Sequence, residues 1–126
     1  MEKKKIETFE SLIVWQKGID LVKEIYLLTK EGELSKDFGL RDQLRRAAVS
    51  VPTNIAEGFE RSSRKEYLHF LSIAKGSAGE IRSLIRVALE INDLGREAYT
   101  KMYNQARELS GLIANQIKAL NQRPNY

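Results

Sequence analysis

Apolar residues recur along this chain at steps of three and four through most of its length. Between Phe9 and Thr29, one stripe is Leu12, Trp15, Ile19, Val22 and Tyr26, and a second beside it is Val14, Leu21, Ile25 and Leu28. Together they make the broad apolar face of a helix packed in a bundle. Residues 30–36, which include Gly32, read as a loop. Asp37 is placed to cap a second helix, striped by Leu40, Leu44, Ala47/Ala48, Val51 and Ile55 and ending near Gly58. Pro52 falls inside that stripe. It has no N–H for the Ala48 carbonyl and its ring clashes there, which predicts a kink over 48–52 or a break into two short helices. The apolar period runs on through the proline, which favours the kinked helix. Ser63 followed by Glu66 is a capping-box pattern. It opens a third helix over 64–94, with Tyr67, Phe70, Leu71, Ala74, Ala78, Ile81, Leu84/Ile85, Ala88 and Ile91 inward and Gly95 as its stop. A fourth helix covers 97–121, with Met102, Ala106, Leu109, Ile113, Ile117 and Leu120 on its buried side.

Nowhere does the pattern switch to the alternation of a strand, and no internal repeat is present. Four long helices joined by short loops predict an all-α fold, an antiparallel up-down-up-down four-helix bundle with helix 2 kinked near Pro52. Residues 1–126 form one domain in this reading, with 1–8 and 122–126 as flexible ends. The composition agrees: 42% apolar, 30% charged and only two prolines in 126 residues. The absence of cysteine excludes disulfides and thiolate metal sites. No run approaches the roughly 18 apolar residues of a membrane span, and no apolar signal core follows the N-terminal lysines. The expectation is a cytoplasmic protein without a membrane anchor.

Catalytic chemistry finds little to work with. His69 is the sole histidine. Glu66 and His69 have the Glu-x-x-His spacing of carboxylate-bridged di-metal bundles, but such a site needs a second copy and none exists. The serines Ser50, Ser62, Ser63, Ser72 and Ser77 lack a base other than His69. No nucleophile elbow or Gly-rich phosphate loop occurs. No enzyme, metal or cofactor is expected. The small run Gly76-Ser77-Ala78-Gly79 sits inside a periodic helix, where it suits close approach to a neighbour, at Ala47/Ala48 in this reading.

The charge is more informative. The net charge is +4 and the pI about 9.4. Residues 41–86 hold nine basic and five acidic residues, so this segment alone accounts for the excess. Arg41, Arg45, Arg46, Arg61, Arg64 and Lys75 are the candidate nucleic-acid-binding residues, with Arg82 and Arg86 one turn apart further on. The arginine fork suits phosphate and carboxylate alike, so salt bridges to Asp42, Glu57, Glu60 and Glu80 are the competing use. Phe59, Tyr67, Tyr99, Tyr103 and Tyr126 are the aromatic candidates for stacking on bases.

One stretch is distinctive as a motif: Gly39-Leu-Arg-Asp-Gln-Leu-Arg-Arg-Ala-Ala-Val-Ser-Val-Pro-Thr-Asn-Ile-Ala-Glu-Gly58, followed by Arg61. Val14-Trp-Gln-Lys17 lies upstream; Phe70-Leu-Ser-Ile-Ala-Lys-Gly-Ser77 and Glu80 lie downstream. Over about residues 9–120 this combination resembles the bacterial four-helix-bundle family of 23S rRNA intervening-sequence proteins, encoded within insertions in 23S rRNA genes and by related free-standing genes. That family is similar in turn to the accessory variability protein of diversity-generating retroelements, a pentameric basic barrel that binds nucleic acid and a reverse transcriptase. The resemblance implies a homo-oligomer, a pentamer, with RNA or DNA and a protein such as a reverse transcriptase as partners. The motif residues also have a structural reading. Pro52 sets a kink, Ser50 and Asn54 satisfy the backbone groups it frees, Glu57 pairs with Arg45, Arg46 or Arg61, and Gly58 ends the helix. Gly76, Ser77 and Glu80 complete that structural set.

Overall fold

A computed structural model describes residues 7–124. It is all-helical, with no strand among the described residues. A 3₁₀ turn, Phe9–Ser11, is followed by α1 (Ile13–Leu28), α2 (Gly32–Lys36), α3 (Phe38–Phe59), α4 (Arg64–Glu90) and α5 (Arg96–Asn121). Most of the expected loose ends, 1–8 and 122–126, fall outside the described residues.

The first predicted helix is in fact two pieces. Leu12 is extended (φ −76°, ψ 129°) and separates the 3₁₀ turn from α1. The break turns Leu12 into the core and brings the Phe9 ring to 5.3 Å from Trp15. The predicted loop 30–36 contains the short helix α2, because it carries Leu34, which is 1% exposed and needs a fixed backbone to reach the core. Gly32 opens α2 at φ +68°, a left-handed conformation that glycine adopts without a Cβ penalty.

α3 is continuous through Pro52. Asp37 caps it as expected, its carboxylate accepting from the Leu40 N–H at 3.3 Å. The amide of Asn54 does not serve the Ala48 carbonyl that Pro52 leaves without its N–H. It donates to the Ser50 carbonyl (2.8 Å) and to Ser50 Oγ (2.9 Å). Pro52 itself is buried, and α1 passes it at Gly18, where a Cβ would stand 3.2 Å from the proline Cβ. α3 ends at Phe59, next to Gly58 as expected; Gly58 itself lies inside the helix. Glycine is required there by packing, since a Cβ would lie 2.9 Å from Phe70 Cβ and 3.0 Å from Tyr67 Cδ1.

Ser63 caps the start of α4, its Oγ accepting from the Glu66 N–H at 3.1 Å. The helix ends at Glu90, short of Gly95. Asn92 takes φ +65°, the Asn92 N–H returns to the Leu89 carbonyl and the Asp93 N–H to that of Ala88. These two bonds are a Schellman stop, with asparagine in place of the usual glycine. Gly95 caps the start of α5 instead. The early stop also leaves Ile91, expected inside, 52% exposed.

α3 packs on both α1 and α4, α4 packs on α5, and α1 touches α5. Leu21, Ile25, Leu44, Ile55, Leu71, Ile81, Ile85 and Ile113 are sealed between them at 0–2% exposure. Each such side chain contributes about 1.5–3 kcal/mol by leaving water. Of the small run in α4, Ser77 and Ala78 face inward, with Ser77 Oγ 2.9 Å from Ser50 Oγ. Gly76, expected at a helix contact, meets nothing within 4 Å, and Gly79 meets only the Arg82 guanidinium.

Candidate nucleic-acid interface

The six basic residues singled out in the sequence do not form one surface. Along α3, the rise of about 1.5 Å per residue puts Arg41 about 24 Å from Glu57, the carboxylate that Arg61 grips. Arg41 and Arg45 therefore stand at one end, and Arg61 and Arg64 at the other. Arg46 and Lys75 are exposed on α3 and α4.

Arg45 is committed to the fold. Its Nε donates to Thr29 Oγ1 at 2.8 Å, and the guanidinium lies 4.6 Å from the Tyr26 ring centroid. Thr29 is fully buried and donates in turn to the Ile25 carbonyl at 2.7 Å. A cation is thus held at the C-terminal end of α1, where the helix dipole favours it. Arg41 likewise lies over Phe38, donating to Asp42 and to the Ser35 carbonyl at 3.2 Å, across the α2–α3 junction. Arg61 pairs with Glu57 and covers the Phe70 ring. Arg64 donates to the carbonyls of Arg123 and Pro124. Of the partners foreseen for Glu57, the structure selects Arg61.

Another cationic and aromatic surface is one that the chosen set touches only at Lys75. Positions 75, 82 and 86 are seven and four residues apart, so they share one face of α4. Against Arg86 and Arg82 on α5 stand Tyr99 and Tyr103, and the exposed Arg107 follows one four-residue step further along α5. Arg82 lies 5.9 Å from the Tyr103 ring centroid and Arg86 5.9 Å from that of Tyr99, while the two tyrosines are 5.8 Å apart. Arg86 also pairs with Glu90 at 2.8 Å. Among the described residues Arg46, Lys75, Arg82 and Arg107 stand in no ion pair within 4.0 Å. Arg82 Nε is buried without a hydrogen-bond partner. The signal for this ladder was in the sequence, as the spacing of Arg82 with Arg86 and of Tyr99 with Tyr103. What the sequence lacked was the register that sets the two pairs side by side. His69 is exposed, edge-on to Phe70, and Glu66 is engaged at the α4 cap.

The family model described as 23S rRNA-intervening sequence protein matches residues 10–115. The chain belongs to that family. Among solved structures, the chain is similar to a protein of unknown function from the S23 ribosomal protein family of Bacteroides thetaiotaomicron. The two are 25% identical with a TM-score of 0.77, over 84% of this chain and 99% of that one. No curated protein matches significantly. The matched span takes in α1 to α4 and most of α5, and with them the whole arginine–tyrosine ladder.

Proposed function

We propose that this member of the family is a non-enzymatic, cytoplasmic nucleic-acid-binding protein that takes structured RNA on the α4–α5 face. The observation that carries this reading is the ladder of Lys75, Arg82, Arg86, Tyr99, Tyr103 and Arg107. Guanidinium groups beside tyrosine rings place cationic N–H groups able to meet phosphate next to aromatic faces on which a base can stack. The four long helices form an antiparallel up-down-up-down bundle in this reading. Supporting it, Ser50 meets Ser77 and Arg64 at the start of α4 meets Arg123 after the end of α5. The bundle assembles as a homopentamer. The open apolar groove of about 470 Å³ between α1 and α3, lined by Trp15, Ile19, Val22, Val49 and Pro52, supports self-association. Five copies of a +4 chain carry +20, which turns a mild charge into a strong field.

The test is a fluorescence-polarisation titration with a structured RNA and a duplex DNA, on protein whose mass is set by light scattering. Lys75→Gln with Arg82→Gln and Arg86→Gln should weaken binding at least tenfold while circular dichroism stays unchanged. Full affinity in the triple variant would remove the α4–α5 face from the account.

A second reading is a scaffold for a protein partner such as a reverse transcriptase. In that reading arginines make inter-subunit or partner salt bridges, and the cations available for them are those in no ion pair within the chain among the described residues, Arg46 and Lys75 first. It requires a partner that stays bound to the purified protein after nuclease treatment.

A further inference from the structure

The α4–α5 face has two unlike halves. Arg86 stands beside Tyr99 and Arg82 beside Tyr103, so a four-residue step along α5 answers a four-residue step back along α4. By that register Arg107 falls level with residue 78, between Arg82 and Lys75. One half therefore carries the two tyrosines and the other carries Arg107 and Lys75, with Arg82 at the join. The charges divide in the same way. Glu90 holds Arg86 in an ion pair at 2.8 Å, which leaves the tyrosine half with little net charge. Arg82, Lys75 and Arg107 stand in no ion pair within 4.0 Å among the described residues. The carboxylates nearest in sequence point elsewhere: Glu80 lies about 140° around α4 from Lys75, and Glu108 about 100° around α5 from Arg107.

The tyrosine half suits bases. Both rings are half-buried, so each is fixed against the core while part of it stays in solvent. Their centroids are 5.8 Å apart and their planes differ by 34°, which sets the two rings side by side as one aromatic platform. Arg82 and Arg86 reach the rings only at 5.9 Å, the outer limit of such contacts, and so do not close them off. A base stacks on such a platform only where its own face is free, in an unpaired stretch; inside a duplex both faces are taken by the neighbouring pairs. The other half suits phosphate. Lys75 and Arg82 are about 10 Å apart along α4. The Arg82 guanidinium reaches back over Gly79, 3.6 Å from where a Cβ would stand, and so toward Lys75 and Arg107.

We infer that this face binds the junction between the loop and the stem of an RNA hairpin, with unpaired loop bases on Tyr99 and Tyr103 and stem phosphates at Arg82, Arg107 and Lys75. The inference rests on the nucleic-acid reading above and adds which part of a structured RNA is recognised. A plain duplex offers phosphates but leaves the tyrosines without a base. An isolated strand offers bases, but its phosphates must be ordered on binding, an entropic cost that a stem has already met.

The experiment is a fluorescence-polarisation titration of three labelled RNAs at one salt concentration: a hairpin with an unpaired loop, its stem alone as a duplex, and its loop sequence alone as a single strand. The hairpin should bind about tenfold more tightly than either of the others, within what stacking of one base contributes. Tyr99→Leu with Tyr103→Leu should bring the hairpin down to the affinity of the duplex. The duplex affinity should not change, which shows that the variant is folded. Tyr99→Phe with Tyr103→Phe keeps the rings and should keep the preference. Lys75→Gln with Arg107→Gln should weaken hairpin and duplex alike. Equal affinity of the parent for hairpin and duplex, or a preference that survives the leucine pair or is lost in the phenylalanine pair, overturns the inference and leaves RNA binding intact. A single strand that binds as tightly as the hairpin removes the stem from the account and overturns the junction. If none of the three RNAs binds, the nucleic-acid reading fails and the inference falls with it.

Discussion

Gly58 and Gly76 show how differently two residues of one type are used. Gly58→Ala would force a methyl to within 2.9 Å of Phe70 Cβ, and should cost about 1–3 kcal/mol in a urea unfolding experiment. Gly76→Ala meets nothing within 4 Å in the middle of α4, and should add about 0.5–1 kcal/mol in the same experiment. Sequence pattern alone read Gly58 as a helix stop and Gly76 as a helix contact, because only the position of the neighbouring helix shows which glycine is approached. Asp93 is a second residue whose role depends on tertiary placement. Its carboxyl is pushed up from 3.8, first by hydrogen bonding with Asp37, then by desolvation and by the charges of Asp37 and Glu33. A raised carboxyl pKa means that the fold favours the protonated form. That contribution is complete below the ordinary value of 3.8 and is lost as pH rises through the raised one. Asp93→Asn should therefore remove this step from the stability profile and leave the variant more stable than the parent at pH 7, as read by thermal unfolding from pH 3 to 7.

At the scale of elements, the long helices were legible because each carries an apolar period over four or more turns. Their ends were not, except where a side chain caps its own helix, as Asp37 and Ser63 do. The stop of α4 at Asn92 was hidden because asparagine enters the left-handed region far less often than glycine, and Gly95 nearby offered the stronger signal. Asn92→Gly should preserve or slightly raise stability, whereas Asn92→Ala should lower it by about 1 kcal/mol, since alanine pays the full left-handed cost. Arg45 belongs at this scale too. Its bond to Thr29 ties α3 to the end of α1. Arg45→Ala should destabilise the protein by about 1–3 kcal/mol, because the buried Thr29 hydroxyl loses the donor it accepts from. It is therefore a poor probe of binding, although the sequence made it a leading candidate.

For the whole molecule, the sequence conveyed the excess of arginine but not its division. Arginines at the two ends of α3 are bound to the fold, while a third group gathers with tyrosines along α4 and α5. The central claim is that this third group neutralises phosphate. Each neutralised phosphate adds about 0.7–0.9 to the slope of log affinity against log salt. The most direct measurement is that slope for a structured RNA, in the parent and in the Lys75→Gln, Arg82→Gln, Arg86→Gln variant. The account predicts a steep parent slope that falls by about 2–3 in the variant. An unchanged slope, or no RNA binding by the parent even at low salt, would contradict it.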